Sequence, residues 1–341
     1  MIQEAEGSNP FSHPIPTSGI ALLRPPPASF VTSPRLNNEF ALLGKENTVS
    51  KKHPIIAVTG SSGAGTSTVK EAFEHMFRRE GLTPAVIEGD SFHRYDRAEM
   101  KAKVADEEAK GNRDFSHFGA RANEFAKLAE LFETYGKTGS GKRRLYLHSD
   151  EEAEPYDGLK PGEFTPWEDI PAGSDLLFYE GLHGCVKTDG IDMVSHADLK
   201  IGVVPVINLE WIQKIHRDTK QRGYSEEAVM ETILRRMDDY VHYIVPQFKY
   251  TDINFQRVAT VDTSDPIIAR DIPTPDESMV VIRFRKPDNI PGGVDFPRLL
   301  QMIPHSFMSR RNTIVVPGGK MGFAMELIFT PILKSMLAER G

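Results

Sequence analysis

Three observations predict an α/β chain built on a mostly parallel sheet flanked by helices. Short apolar runs alternate with segments of helical periodicity. The first run, Pro54 to Val58, enters a glycine-rich turn that opens directly into a helical pattern. Two later runs end at or just before an acid, Asp90 and Glu180, which puts both at carboxyl ends of strands, where such sheets bind ligands.

The elements follow in order. From Thr66 onward, Val69, Ala72, Phe73, Met76 and Phe77 recur at the spacing of one helix face. Pro84 to Asp90 reads as a second strand, with His93, Arg94 and Arg97 close behind. Residues 98–118 are charged and partly helical. Arg121 to Tyr135 is an amphipathic helix carrying Phe125, Leu128, Leu131 and Phe132 on one face. A Gly/Ser turn spans Lys137 to Lys142, a strand Arg143 to His148, and a proline-containing surface excursion 149–175. Leu176 to Gly181 and Leu199 to Pro205 are buried strands. Asn208 to Gln221 and Ser225 to Val245 are helices separated by Arg222-Gly-Tyr224. Met279 to Phe284 is a late strand, 286–297 a Pro/Gly loop, and Met321 to Glu339 a closing helix.

Composition narrows the class. With 39% hydrophobic and 26% charged residues over 341 positions, the chain is an ordinary globular protein. A formal net charge of −7 argues against a general nucleic-acid surface. No unbroken apolar run reaches about 18 residues, so no membrane span is expected. The lone Cys185 excludes an intramolecular disulfide and fits a reducing compartment.

The turn after the first strand, Gly60-Ser-Ser-Gly-Ala-Gly-Thr-Ser-Thr68, follows G-x-x-x-x-G-x-[ST]. Its glycines let backbone N–H groups turn inward around a phosphate, and the helix N-terminus adds partial positive charge. Gly60, Ser61, Ser62, Gly63, Ala64, Gly65, Thr66, Ser67 and Thr68 are therefore the ATP-binding candidates. The usual lysine is replaced by Thr66. Ser67 holds the position whose hydroxyl ordinarily ligates Mg²⁺, and Glu180 is the second metal-side candidate. Phosphoryl transfer to an alcohol also needs a carboxylate near the acceptor, for which Asp90 stands at the next strand end. The plainer reading of Asp90 is a helix N-cap. Lys214, His216, Arg217, Lys220 and Arg222 make a basic run whose arginines suit phosphate and could close as a lid; a solvated helix face is the plainer reading. His93 and Arg97, four apart, are expected on one helix face beside Asp90.

These stretches, with Glu88-Gly-Asp90, Phe178-Tyr-Glu180-Gly-Leu-His183-Gly, the block from Lys200 to Asp218, and Val245-Pro-Gln-Phe248, resemble phosphoribulokinase in its proteobacterial form. The resemblance runs from Ser50 to the C-terminus. It implies a P-loop nucleoside-triphosphate-kinase fold and ATP-dependent phosphorylation of the 1-hydroxyl of ribulose 5-phosphate, giving ribulose 1,5-bisphosphate for the Calvin cycle. In that family Thr at the loop position is expected. By the same resemblance Asp90 is the base, Asp218 a second essential carboxylate, Glu180 the metal-side acid and Lys214 a charge-stabilising lysine. His93, Arg97, Arg217 and Arg222 match sugar-phosphate or lid positions. The resemblance also implies a bacterial cytoplasmic octamer activated by NADH, with Arg79, Arg283 and Arg310 as the effector set. The alternatives are a uridine- or pantothenate-type kinase, which usually keeps the loop lysine, and a nucleotide sensor with a degenerate loop.

Residues 51–341 are expected to form a single kinase domain and residues 1–50 a disordered extension, being rich in proline from Pro10 to Pro34. The resemblance starts abruptly at Val49-Ser-Lys-Lys-His-Pro54, where family members begin Met-Ser-Lys-Lys-His-Pro. Translation is therefore expected to start at position 49, a GTG codon being read as Met. Removing residues 1–48 is expected to leave stability and activity within error. Intact mass of the native protein checks the start, and a species containing residues 1–48 would refute it.

Overall fold

The computed structural model describes residues 52–61, 66–269 and 271–340, without the side chains of Thr66 and Ser67. Strands β1 (Ile55–Gly60), β2 (Pro84–Glu88), β3 (Leu176–Gly181), β4 (Leu199–Val203), β5 (Ile253–Ala259), β6 (Ser278–Phe284), β7 (Phe307–Arg310) and β8 (Thr313–Pro317) form one sheet, ordered β7-β8-β6-β5-β4-β1-β3-β2. The ladders from β2 to β5 are parallel. Those joining β5, β6, β8 and β7 are antiparallel.

The central strands are buried on both faces, as parallel strands are. Ile56 and Val58 of β1 face one layer, Ile55 and Ala57 the other. The first layer holds helix α1 (Thr66–Glu80) and the closing helix, where Phe73 stacks on Phe178 and on Phe329 at centroid distances of 4.9 and 4.7 Å. The second holds α3 (Phe125–Thr138), whose Leu128, Leu131, Phe132 and Tyr135 are buried. Between them in sequence lies α2 (Arg97–Ala109), started by an Asp96/Glu99 capping box. Helices α4 (Ile207–Lys220) and α5 (Glu226–Arg235) pack together through Ile215, Val229 and Ile233. A short α6 (Phe296–Met302) precedes the closing helix α7 (Met321–Ala338).

Several boundaries differ from the sequence expectation. The helix expected from Arg121 starts at Phe125, because Arg94 donates to the Ala122 carbonyl and Glu124 donates to that of Phe92. These bonds strap 92–94 to 122–124 in extended form. The same helix runs to Thr138, into the expected Gly/Ser turn. The expected strand Arg143–His148 is reduced to a two-residue ladder at Lys142–Arg143 and a single antiparallel bridge from Tyr146 to Phe164. The helix expected from Ser225 to Val245 is interrupted at Arg236, resumes as one short α-helical turn, Met237–Asp239, and continues as a π-turn, Tyr240–Ile244, and a 3-10 turn, Val245–Lys249. Pro246, which has no N–H for a helical bond, falls in the new turn's first positions. Strands β5, β7 and β8 and helix α6 were not expected at all. The span Gly318–Ala338 is long and apolar enough to cross a membrane by composition, but Ala324, Met325, Ile328, Phe329, Ile332 and Leu333 are buried in the core.

Candidate active site

The carboxyl ends of β1, β2 and β3 open into a cleft of about 780 Å³. Gly60, Asp90, Glu180, Arg217 and Arg222 all line it, so most of the expected site converges. Ser62, Gly63, Ala64 and Gly65 lie outside the described residues, as do the side chains of Thr66 and Ser67.

Two glycines bring the acids together. Register pairs Glu88 with Glu180, so Gly89 and Gly181 leave their strands side by side. A Cβ on Gly181 would lie 2.7 Å from the Gly89 Cα, and one on Gly89 would lie 2.5 Å from the Tyr179 hydroxyl. A side chain at either position would force the two backbones apart. Asp90 then sits in the 3-10 turn Gly89–Phe92. It caps no helix: Asp96 caps α2. Its Oδ1 is 3.7 Å from His93 Nε2 and its Oδ2 4.0 Å from His148 Nε2.

The buried amide of Gln247 fastens the floor. Its oxygen accepts from the Thr59 hydroxyl and the Cys185 N–H at 2.9 Å. Its nitrogen donates to the carbonyls of Leu182 at 2.7 Å and Tyr243 at 2.8 Å. One side chain therefore ties the ends of β1 and β3 to the π-turn.

Helix α4 supplies the positive wall. Asp218 accepts from Lys214, from Arg217 Nε at 3.1 Å and from Arg222 Nη1 at 3.2 Å. Burial works against its charge, yet Lys214 and Arg217 hold its carboxyl below the usual range. Burial, with the Arg236 charge second, brings Lys214 down to about 8 despite Asp218. His216 faces elsewhere, its Nε2 2.9 Å from the Ala269 carbonyl.

His93 and Arg97 do not share a helix face. His93 closes the 3-10 turn, buried, its ring 4.2 Å from that of His117. Burial lowers its pKa, keeping it neutral. Arg97 opens α2 and reaches the carbonyls of Pro161 and His148 at 3.4 Å. The effector set also divides. Arg79 pairs with Glu326 at 2.7 Å in the α1–α7 layer. Arg283 alternates with the core residues Ile282 and Phe284, so it leaves the opposite face of the sheet. Register sets Thr313 opposite both Arg283 and Arg310, which puts those two on one face.

Sequence reasoning missed two cations and one carboxylate. Arg236, half-buried with its guanidinium 5.1 Å above the Phe118 ring, senses the charges of Asp218, Asp90 and Glu210. Burial brings its pKa down to about 10. In sequence it is one half of an ordinary Arg-Arg helix end. Lys70, one turn into α1, bonds Glu88 at 2.5 Å and lines the cleft. Glu210 is buried beside Ser61 and Tyr240, and burial raises it to about 7.

Among the described residues no cluster of three metal-ligating side chains occurs. Mg²⁺ is commonly held by one or two carboxylates together with substrate phosphates. Glu180, at the cleft's edge beside β1, fits that role.

A strand, phosphate loop and helix, with acids on neighbouring strand ends and a basic helix across the cleft, define a P-loop kinase. The profile of the Phosphoribulokinase / Uridine kinase family matches residues 55–264. The chromosomal phosphoribulokinase of Cupriavidus necator is 63% identical over 292 residues, 86% of this chain and 98% of that protein. The phosphoribulokinase of Nitrobacter vulgaris is 60% identical, over 85% and 98%. The solved phosphoribulokinase from Rhodobacter spheroides superposes with a TM-score of 0.78 at 57% identity, covering 85% of this chain and 99% of that one. The chain belongs to the phosphoribulokinase / uridine kinase family, among its phosphoribulokinases.

The Lys214 environment sets a pH dependence. Raising pH through about 8 removes the Lys214 charge in the free enzyme, so kcat/KM is expected to fall along an alkaline limb near that value. Lys214→Arg should move the limb upward, since guanidinium stays protonated. An unmoved limb in that variant would assign it to another group.

Proposed function

We propose that this chain transfers the γ-phosphoryl group of ATP to the 1-hydroxyl of ribulose 5-phosphate, yielding ADP and ribulose 1,5-bisphosphate for carbon fixation in the Calvin cycle. The observation that carries the reading is the cleft that joins Asp90, Glu180, Arg217 and Arg222, in a chain about 60% identical to phosphoribulokinases along nearly their whole length.

Asp90 accepts the proton of the 1-hydroxyl as that oxygen attacks the γ-phosphorus. The bond from the γ-phosphorus to the bridging oxygen breaks, and ADP leaves with the electron pair. Glu180 and Ser67 would hold Mg²⁺ together with the nucleotide phosphates, and the ion would supply charge neutralisation there. Lys214, Arg217 and Arg236 face the developing charge and do the work that Thr66 cannot. Asp218 holds Lys214 and Arg217 in place between turnovers. Arg222, just past the end of α4, closes over the phosphates. His93, Arg97 and His148 contact the acceptor. The full set of carboxylates and cations favours an active kinase over a nucleotide sensor.

Asp90→Asn should lower turnover by about 10²–10⁴-fold while ATP binding survives, because the phosphate contacts lie elsewhere. Turnover near wild type would overturn the assignment of the base. The expected acceptor is ribulose 5-phosphate; preferential phosphorylation of uridine in a coupled ADP assay would move the reading to the other branch of the family.

Regulation and assembly extend the proposal. NADH activates the enzyme in a bacterial cytoplasmic homo-octamer, with Arg79, Arg283 and Arg310 as effector contacts. Because Arg79 sits on α1, which packs on the face of the sheet opposite to Arg283 and Arg310, an effector touching all three would bridge subunits. Burial pushes the Cys185 thiol up to about 12, which argues against a reactive thiol there. Activity titrated with NADH, light scattering for mass and cell fractionation check these points. An NADH-insensitive enzyme would remove the effector role from the three arginines.

A further inference from the structure

Glu210 is a carboxylate buried beside the start of the phosphate loop, and the reaction above gives it no part. It opens a stripe on α4: Glu210, Lys214 and Asp218, four apart, share one buried face. Lys214 bonds Asp218 at the far end of that stripe and not Glu210 at its beginning. Glu210 is only 7% exposed and Tyr240 5%, and the Tyr240 hydroxyl donates to Glu210 Oε2 at 3.3 Å. Ser61, the second residue of the loop, is wholly buried and interacts with the same two side chains. Yet its hydroxyl closes no hydrogen bond of ordinary length. A buried hydroxyl left so is costly. An ionised Glu210 can only accept, whereas a neutral one has a proton to give.

We propose that Glu210 is a positioning residue for the phosphate loop and works as a neutral acid, donating to Ser61 Oγ while its other oxygen accepts from Tyr240. The inference rests on the ATP-dependent reaction given above and deepens it. Through Glu210 the loop is tied to the helix that carries Lys214, Arg217 and Asp218. Two features favour the neutral form. Burial raises the carboxyl to about 7, although Ser61, Tyr240, Arg236 and Lys214 all pull it down. A triphosphate in the loop adds negative charge nearby, and like charge favours the protonated acid. Arg257 of β5, the other charged group beside α4 here, borders the space that Glu210 lines. A carboxylic acid held neutral so that it can donate is an established device in enzyme sites.

Triphosphate binding therefore raises the Glu210 pKa and takes up protons. Affinity is highest below about 7 and falls as pH rises through that value. The probe is ATPγS with saturating Mg²⁺, whose thiophosphate is already ionised at neutral pH. Calorimetry on the full-length enzyme at pH 7, in buffers of different ionisation enthalpy, reads the protons directly. Wild type should take up roughly half a proton, the ionised fraction of an acid at its own pKa. Glu210→Gln, uncharged and still a donor, should leave about a tenth of a proton, the share of Lys214 with its pKa near 8. At pH 6 it should bind ATPγS as tightly as wild type does, whereas Glu210→Ala should bind about tenfold more weakly. Wild-type binding without proton uptake overturns the proposal with no variant needed. Uptake that persists in a folded Glu210→Gln enzyme overturns it too, as does weak binding by that variant at pH 6. Failure of the wild-type enzyme to bind ATPγS at all would instead overturn the proposed reaction.

Discussion

The contact between Gly89 and Gly181 is the constraint on which the active site depends. Strands β2 and β3 are neighbours in the sheet, with Glu88 level with Glu180. Their exits can stay that close only because neither residue beyond carries a side chain. Beneath them the fully buried Tyr179 places its hydroxyl under both glycines and accepts from the His183 N–H at 3.2 Å. The pair thus sets the separation between the turn that carries Asp90 and the strand end that carries Glu180. Gln247 performs the matching task between β3 and β1.

The second organising feature is charge held in reserve. Three cations converge on Asp218, and Arg236 lies within reach of the same group of charges. Leaving one partner of such a pair alone in a dry site is costly, so Asp218 keeps the cations ordered when no phosphate is present. An incoming triphosphate offers the arginines and Lys214 new partners of the same sign as the old one. In the proposed reaction a loop without lysine is no obstacle, because Arg217, Arg222 and Lys70 line the cleft and Arg236 lies near its acids. Preorganised charge of this kind accounts for much of the catalysis in phosphoryl transfer.

What the sequence made legible follows from how local each signal is. The glycine loop, Asp90, Glu180 and the α4 cations announce themselves by short-range patterns at strand and helix ends, and Gly60, Asp90, Glu180, Arg217 and Arg222 line one cleft. Arg236 and Glu210 do not, because their roles come from burial by segments more than a hundred residues away, and an arginine doublet or a helical glutamate is commonplace on a surface. The His93–Arg97 pairing failed because spacing of four implies a shared face only inside one helix, and Asp96 starts a new helix between them. Strands β7 and β8 escaped notice because they are short and antiparallel at or next to the edge, and β5 because the polar Asn254, Gln256 and Arg257 interrupt its apolar run. The break after Arg235 arises from the π-turn that carries Gln247 to Thr59, a tertiary requirement with no local marker except Pro246.

The measurement that tests this account most directly is turnover of Gly181→Ala beside its affinity for ATP. One methyl group must push the Gly89 backbone away, and a displacement of about 1 Å in a catalytic group costs on the order of 10²-fold in rate. The expected result is a folded enzyme that binds ATP normally but turns over at least about a hundredfold more slowly. Wild-type turnover in that variant would show that the two acids do not depend on the glycine contact, and would contradict the account at its base.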